Sequence, residues 1–146
     1  TADTTETAVA WAEAIRRENG PSCLIFSRQN LPFQKRDDAT RANIARGGYV
    51  LRDAKNPRTK RPDAVILATG SEVGLAVGAA DALAAEGVHV RVVSVPATTV
   101  FDKQDAAYKA SVLPAGVPRI AVEAGVSDFW WKYQVQAVVG IDTFGE

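Results

Sequence analysis

Ala64-Val65-Ile66-Leu67-Ala68, then Thr69-Gly70-Ser71, then residues 72–86 with the sequence EVGLAVGAADALAAE, form the stretch that decides the fold. The first run is short and continuously apolar, which is typical of a strand buried on both faces of a parallel sheet. In residues 72–86 the apolar side chains recur at helical spacing. Residues 88–95, VHVRVVSV, are rich in β-branched residues and predict a second strand. This strand–helix–strand pattern predicts two parallel neighbouring strands with the helix on one face of the sheet.

Several glycines border or interrupt the predicted helix. Gly70 or Ser71 is expected to cap its start, and Gly87 suits the left-handed residue after its end. Gly74 and Gly78 lie inside it, where each glycine costs about 1 kcal/mol relative to alanine. We therefore expect the helix backbone to approach the sheet closely at these two positions.

Composition limits the class of protein. The chain has 146 residues, which is enough for a real core, and its formal net charge is zero. No basic stripe predicts nucleic-acid binding, and no apolar run approaches the roughly 20 residues of a membrane span. Cys23 is the only cysteine, which excludes an intramolecular disulfide and fits a reducing compartment; its apolar neighbours predict a buried side chain. Because the chain lacks methionine and begins at Thr1, we expect it to be an internal piece of a longer protein.

The first 26 residues predict one helix and one strand. Asp3 followed by Glu6 matches a capping box at the start of the helix. Residues 23–26, CLIF, form a short apolar run that predicts a buried strand. Ser27-Arg28-Gln29-Asn30 would then follow the carboxyl end of that strand, which is where ligands bind in open α/β sheets.

The remainder of the chain alternates between predicted strands and helices. Residues 31–46 carry charges of both signs and predict a solvated linker. From residue 49 onward the alternation indicates a doubly wound α/β domain of four or five mostly parallel strands. Besides the central unit, the predicted elements are an edge strand at 49–52, a helix at 101–113, a strand at 119–123, a short aromatic helix from 128 and a last strand at 137–141.

Arg28 is the strongest candidate for a binding residue. A guanidinium at the carboxyl end of a strand can hold a phosphate or a carboxylate through two parallel hydrogen bonds. Other positions are interpreted first as structural: residues 69–72 as a helix cap rather than an anion site, His89 as exposed or hydrogen-bonded, Glu123 as a strand end, residues 129–133 as packing rather than a binding platform, and residues 56–62 as a surface loop rather than a phosphate site. The sequence contains no metal-ligand cluster and no nucleophile elbow.

Six stretches resemble transketolases of the bacterial and plant type. They are residues 25–32 (IFSRQNLP), 44–51 (IARGGYVL), 68–73 (ATGSEV), 101–108 (FDKQDAAY), 122–125 (VEAG) and 143–146 (TFGE). Together they cover essentially the whole chain. Related thiamine diphosphate enzymes share ATGSEV, whereas SRQN and FDKQD, in that order, are specific.

The resemblance implies a fold and an activity. The fold would be three-layer α/β, with a mostly parallel sheet of four or five strands flanked by helices, preceded by the last helix and strand of another α/β domain. The full-length protein would transfer a two-carbon ketol unit from a ketose phosphate to an aldose phosphate in the pentose phosphate pathway. Thiamine diphosphate and a divalent metal, magnesium or calcium, would supply the carbanion chemistry. The enzyme would be a cytoplasmic homodimer with phosphorylated sugars as substrates.

The resemblance also assigns parts of the chain. Residues 1–45 would be the tail of the pyrimidine-binding domain and a linker, and residues 46–146 an incomplete C-terminal domain. Arg28 matches the family arginine that binds the phosphate of the sugar. The glutamate that activates the cofactor and the Gly-Asp-Gly metal motif have no counterpart here, so this segment would hold neither cofactor nor metal and would not catalyse transfer alone.

Two alternatives remain open at the level of the sequence. One is the C-terminal part of another thiamine diphosphate enzyme, such as a dehydrogenase E1 β subunit or a deoxyxylulose phosphate synthase, which should lack SRQN. The other is a stand-alone α/β binding module.

Overall fold

One sheet organises the computed structural model, which describes residues 1–144. Among these residues the sheet has five strands in the order β1-β3-β2-β4-β5. The strands are β1 (Tyr49–Arg52), β2 (Ala64–Ala68), β3 (Val90–Ser94), β4 (Arg119–Val122) and β5 (Ala137–Val139). The pairs β2–β3, β2–β4 and β4–β5 are parallel, and β1 pairs antiparallel with β3 at one edge. The prediction of four or five mostly parallel strands is confirmed.

Helices cover both faces of this sheet. They are α1 (Thr4–Arg16), α2 (Asp38–Ala42), α3 (Glu72–Ala85), α4 (Thr98–Phe101) and α5 (Ala106–Val112), with 3₁₀ helices at Ile44–Arg46 and Asp128–Tyr133. Side chains of β2 alternate between the faces, as the period of a strand requires. Val65 and Leu67 join an apolar cluster with α5 and Trp130, while Ile66 joins the cluster that contains α3. The three-layer architecture is therefore present.

The central strand–helix–strand unit follows the prediction, with two corrections at its helix. The strands β2 and β3 are parallel neighbours, and Val73, Ala76 and Ala80 of α3 are buried against the sheet. Ser71 precedes α3 but makes no side-chain capping hydrogen bond. The two glycines do not face the sheet: a Cβ on Gly74 would lie 3.4 Å from Pro32 Cγ, and a Cβ on Gly78 would meet nothing within 4 Å.

The predicted strand at residues 23–26 does not form. A strand needs a hydrogen-bonding neighbour, and none of residues 1–144 pairs with this segment. Three of its four side chains are exposed, including Ile25 at 78% and Cys23, so the expectation of a buried cysteine is wrong. The stacked pair Trp11 and Phe26 is also largely exposed, at 52% and 44%.

Two further segments differ from the prediction. Residues 31–46 are more than a solvated linker, because they contain α2, a 3₁₀ turn and the buried side chains of Arg36 and Ile44. The helix predicted at 101–113 is shorter and comprises α5 alone, since Asp105 rather than Asp102 accepts a hydrogen bond from the first turn of α5, at Tyr108 N; α4 is a separate short helix before it. Gly145 and Glu146, the end of the TFGE stretch, lie outside the described residues.

Candidate functional site

The segment that carries Arg28 lies at the carboxyl edge of the sheet. Ser27 lines a cleft of about 960 Å³ that is also lined by Gly70 after β2, Pro96 after β3 and Glu123 after β4. In parallel α/β sheets this edge is where ligands bind. Residues 23–26 do not form the strand on which the prediction of a binding site here relied, and the role of Arg28 stays a prediction.

Arg28 itself is available to a ligand. Among residues 1–144 its side chain is exposed and forms no hydrogen bond or ion pair, and Gln29 and Asn30 beside it are exposed as well. A free guanidinium fork has donors arranged to bind the oxygens of a phosphate or carboxylate in a bidentate way. The geometry therefore permits the predicted role without displacing an internal partner.

The other side chains at this edge are used internally. Glu72, at the start of α3, is buried and accepts a hydrogen bond from Ser71 Oγ at 2.6 Å. Glu123 accepts hydrogen bonds from Gly125 N at 3.0 Å and from Trp130 Nε1 at 3.1 Å. Both carboxylates therefore form hydrogen bonds within the local structure.

The remaining candidates lie away from this edge. His89 precedes β3, and its backbone N and ring Nδ1 both contact Asp63 Oδ2, at 2.8 and 3.2 Å, so the histidine is hydrogen-bonded as expected. In the 56–62 loop, Asn56 N donates to Arg61 O at 2.9 Å and Lys60 N donates to Asn56 O at 2.8 Å. Arg61 also donates to the carbonyl oxygen of Ala115. These bonds describe an ordered surface turn.

The aromatic segment at Asp128–Tyr133 divides between core and surface. Trp130 is fully buried, and Tyr133 is buried with its hydroxyl donating to Asp102 at 2.8 Å. Burial, together with this hydrogen bond to a carboxylate, raises the pKa of Tyr133 well above its ordinary value. Phe129 and Trp131 are exposed, so packing in the core explains two of the four aromatic side chains of this segment.

Sequence reasoning missed a buried polar cluster made of Asp3, Glu6, Arg36, Tyr49 and Ser94. Arg36 Nη1 donates to Asp3 Oδ2 at 2.5 Å, and Arg36 Nε donates to Tyr49 Oη at 2.8 Å. Tyr49 Oη and Ser94 Oγ both donate to Glu6 Oε1, at 2.8 and 2.5 Å. Arg36 lies in a run of mixed charges, which predicts exposed side chains. No feature of that run indicates that one of its residues is buried. Only the capping pair Asp3 and Glu6 could be predicted.

Burial and hydrogen bonding shift the acidity of this cluster in known directions. Burial pushes the pKa of Asp3 upward, but hydrogen bonds from Arg36 and from the backbone N–H groups of Gln34 and Glu6 outweigh it and leave that pKa below its ordinary value. Burial, with the neighbouring Glu6 carboxylate, raises the pKa of Tyr49 far above its ordinary value. The cluster is therefore an ionised Asp3–Arg36 pair beside a neutral phenol.

Metal-ligand clusters and membrane-spanning helices were both sought among the described residues. Within residues 1–144, no group of three or more histidine, cysteine, aspartate or glutamate side chains could hold a metal ion. In the same part of the chain, no helix is long and apolar enough to cross a membrane. The side chains of this segment thus do not fit the divalent metal of a thiamine diphosphate site.

A family model described as the transketolase-like TK C-terminal domain matches residues 47–146. The chain belongs to the transketolase family. It is 56% identical to transketolase 1 of Vibrio vulnificus strain YJ016 and 55% identical to transketolase 1 of Escherichia coli K12, in each case over 99% of this chain and 22% of the relative. The chain therefore spans about a fifth of the length of these curated relatives.

Solved transketolase structures share the fold. A Pichia stipitis transketolase in complex with sedoheptulose 7-phosphate is 40% identical and superposes with a TM-score of 0.88, over 99% of this chain and 20% of that one. A Leishmania mexicana transketolase is 44% identical with a TM-score of 0.87, over the same shares. The sheet and its flanking helices are those of the transketolase C-terminal domain, and the alternatives of another thiamine diphosphate enzyme or a stand-alone module are not favoured.

Proposed function

We propose that this chain is the C-terminal part of a transketolase in which Arg28 binds the phosphate of the sugar substrate. The observation that carries this role is an exposed guanidinium, without an internal partner among residues 1–144, on the residue that follows Ser27, which lines a cleft at the carboxyl edge of the sheet. The Pichia relatives solved with sedoheptulose 7-phosphate and with xylulose 5-phosphate support phosphorylated sugars as the substrate class.

The contribution of Arg28 is positioning. Holding a phosphate that takes no part in the reaction places the reacting carbon of the sugar and uses remote binding energy to orient it. The full-length enzyme would transfer a two-carbon ketol unit from a ketose phosphate to an aldose phosphate. Thiamine diphosphate, with magnesium or calcium, supplies the carbanion chemistry when bound by residues outside this segment.

We further infer that residues 1–45 complete a neighbouring pyrimidine-binding domain and that residues 46–146 form the C-terminal domain. The family model begins at residue 47, which supports this boundary. The exposed apolar side chains of Trp11, Ile15, Ile25 and Phe26 also support it, because a larger domain would cover them. Membership in the pentose phosphate pathway, a cytoplasmic location, a homodimer and inactivity of the isolated segment belong to the same proposal.

Kinetics of the full-length enzyme test the phosphate role. Arg28→Ala should reduce kcat/KM for xylulose 5-phosphate by about 2 kcal/mol, a roughly 30-fold loss, because a charge-assisted hydrogen bond is removed. The loss on unphosphorylated xylulose should be within about twofold. Arg28→Lys should recover only part of the loss, since an ammonium cannot form two parallel bonds.

The matched control is Arg58→Ala. Arg58 is an exposed arginine in the loop before β2, at the opposite edge of the sheet. Its removal changes the net charge equally and should leave both substrates unaffected. An equal loss on both substrates in Arg28→Ala, or the same loss in Arg58→Ala, would contradict the proposal.

A further inference from the structure

The buried polar cluster joins three parts of the chain that are distant in sequence. Asp3 and Glu6 belong to the start of α1, Arg36 follows the segment with Arg28, and Tyr49 and Ser94 belong to β1 and β3. Glu6, Tyr49 and Ser94 have exposures of 0%. The cluster is thus an internal joint between the N-terminal 36 residues and the sheet.

Charged groups are a costly way to build such a joint. Removing two carboxylates and a guanidinium from water is unfavourable, and apolar side chains of similar volume often stabilise a fold equally well. What hydrogen-bonded charges add is a fixed relative geometry, because each bond requires a particular distance and direction. The buried charges therefore favour a role in holding a neighbouring segment in one arrangement.

The segment fixed by this joint is the one that carries Arg28. Asp3 Oδ2 accepts a hydrogen bond from Gln34 N at 2.9 Å, and Arg36 Nη1 donates to Gln34 O at 2.8 Å. Both backbone groups of Gln34 are thus held by the ion pair. Before it, Pro32 packs on the glycine surface of α3 at Gly74. At the other end, Thr1 N lies 3.4 Å from Ile25 O.

Residues 26–31, which include Arg28, therefore span a short interval between two anchored points. A loop of this length cannot move far when its two ends are fixed. Releasing Gln34 would free the end of the loop that leads into Gln34 and let that end change position. A binding fork held in place before the ligand arrives loses less entropy on binding.

We propose that Arg36 is a positioning residue for substrate-phosphate binding, which acts with Asp3 and Tyr49 by clamping Gln34 and so presenting Arg28. This inference rests on the proposed function of Arg28. By this inference, the polar cluster that joins the N-terminal segment to the sheet contributes to the recognition of phosphorylated sugars.

The experiment uses the full-length enzyme with xylulose 5-phosphate and with unphosphorylated xylulose. Tyr49→Phe removes one hydroxyl from the cluster and is the mild variant; Arg36→Met removes the clamp, and Arg36→Lys keeps the charge opposite Asp3. We expect Tyr49→Phe to raise KM for the phosphorylated sugar several-fold and Arg36→Met to raise it between roughly tenfold and a hundredfold. In both variants kcat and the kinetics on xylulose should stay within about twofold of wild type, and Arg36→Lys should restore part of the loss.

Val112→Ala controls for stability. Val112 is buried in the other apolar cluster, on the face of the sheet opposite α3 and away from the polar cluster. Its truncation weakens the fold without affecting the contacts of Gln34. The ratio of the KM for xylulose 5-phosphate to the KM for xylulose should therefore not change. A similar change in that ratio in Val112→Ala would show a general effect of stability and overturn the inference.

A double variant separates the inference from the proposed function. If Arg36 acts through Arg28, adding Tyr49→Phe to Arg28→Ala should cause no further loss of phosphate discrimination. Full additivity would overturn the inference while Arg28 kept its role. If Arg28→Ala shows no selective loss but Arg36→Met does, the proposed role of Arg28 fails, and with it the claim that Arg36 acts through Arg28.

Discussion

At the scale of single residues, the two glycines after Arg46 show how the packing of the chain restricts which residue can occupy a position. Gly47 has φ +82, and a Cβ there would lie 2.5 Å from Ala97 O and 2.6 Å from Phe101 N. At Gly48 an added Cβ would lie 2.7 Å from the ring of the fully buried Phe101. The chain approaches α4 and the preceding Ala97 so closely here that a side chain has no room.

Gly47→Ala should therefore lower the free energy of unfolding by roughly 2–4 kcal/mol, because it combines an unfavourable backbone angle with a clash against backbone atoms. Gly78→Ala is the matched control: Gly78 is exposed in α3, and a Cβ there meets nothing within 4 Å. This control should be neutral or stabilising by up to about 1 kcal/mol. Urea denaturation of the chain measures both changes, and equal effects at the two glycines would contradict this account.

Residue-scale prediction from sequence succeeded where the requirement is local. Asp3 caps α1 by accepting from Glu6 N at 3.1 Å, as the capping pattern predicted. The same pattern could not predict that Glu6 also accepts from Tyr49 and Ser94, because those partners lie 43 and 88 positions away. Arg28 was predicted as a binding residue from its place after the expected strand at residues 23–26 and from the resemblance to the family, and its role stays a prediction.

At the scale of elements, the start of α1 depends on an ionised Asp3. Its pKa is depressed in the folded state by Arg36 and two backbone N–H groups, despite burial. A carboxyl with a depressed folded pKa stabilises the fold above its unfolded pKa, and this contribution is lost as the pH falls through the folded pKa. The chain should therefore lose stability on acidification in the range below the ordinary pKa of an aspartate.

Asp3→Asn should lower stability at neutral pH by on the order of 3 kcal/mol, since it leaves Arg36 buried without its charge partner. It should also flatten the acid dependence of the unfolding midpoint. Asp37→Asn is the control, because Asp37 caps α2 in the same way, accepting from Thr40 N at 2.7 Å, but is exposed and forms no buried ion pair within residues 1–144. Thermal unfolding between about pH 2 and pH 7 compares them, because this range extends below the ordinary pKa of an aspartate; an unchanged acid slope in Asp3→Asn would count against the ionised pair.

Helices and strands could be predicted from the sequence where the pattern that produces them lies within the segment itself. The helix α3 and the strands β2 and β3 follow from periodicity and from apolar runs that the sheet buries on both sides. Residues 23–26 have an equally apolar pattern, but a strand exists only with a partner, and no residue within 1–144 supplies one. The helix α5 starts after Asp105 rather than after Asp102, and the sequence pattern offers both aspartates as possible caps.

At the scale of the whole molecule, the chain presents a C-terminal transketolase sheet with an N-terminal segment fixed to its carboxyl edge. The fold class and architecture could be predicted because two observations pointed to the same fold. One is the alternation of strands and helices, and the other is the resemblance to transketolases along nearly the whole chain. The joint at Arg36 was not, because it depends on side chains brought together only after the sheet has formed.

The central claim is that Arg28 holds the phosphate of the sugar, and a crystal structure of the full-length enzyme with a bound ketose phosphate measures this directly. Two Arg28 nitrogens should lie at about 2.7–2.9 Å from two phosphate oxygens, the geometry of a bidentate charge-assisted pair. A phosphate bound by other residues, with the Arg28 guanidinium pointing to solvent and beyond hydrogen-bonding distance, would contradict it.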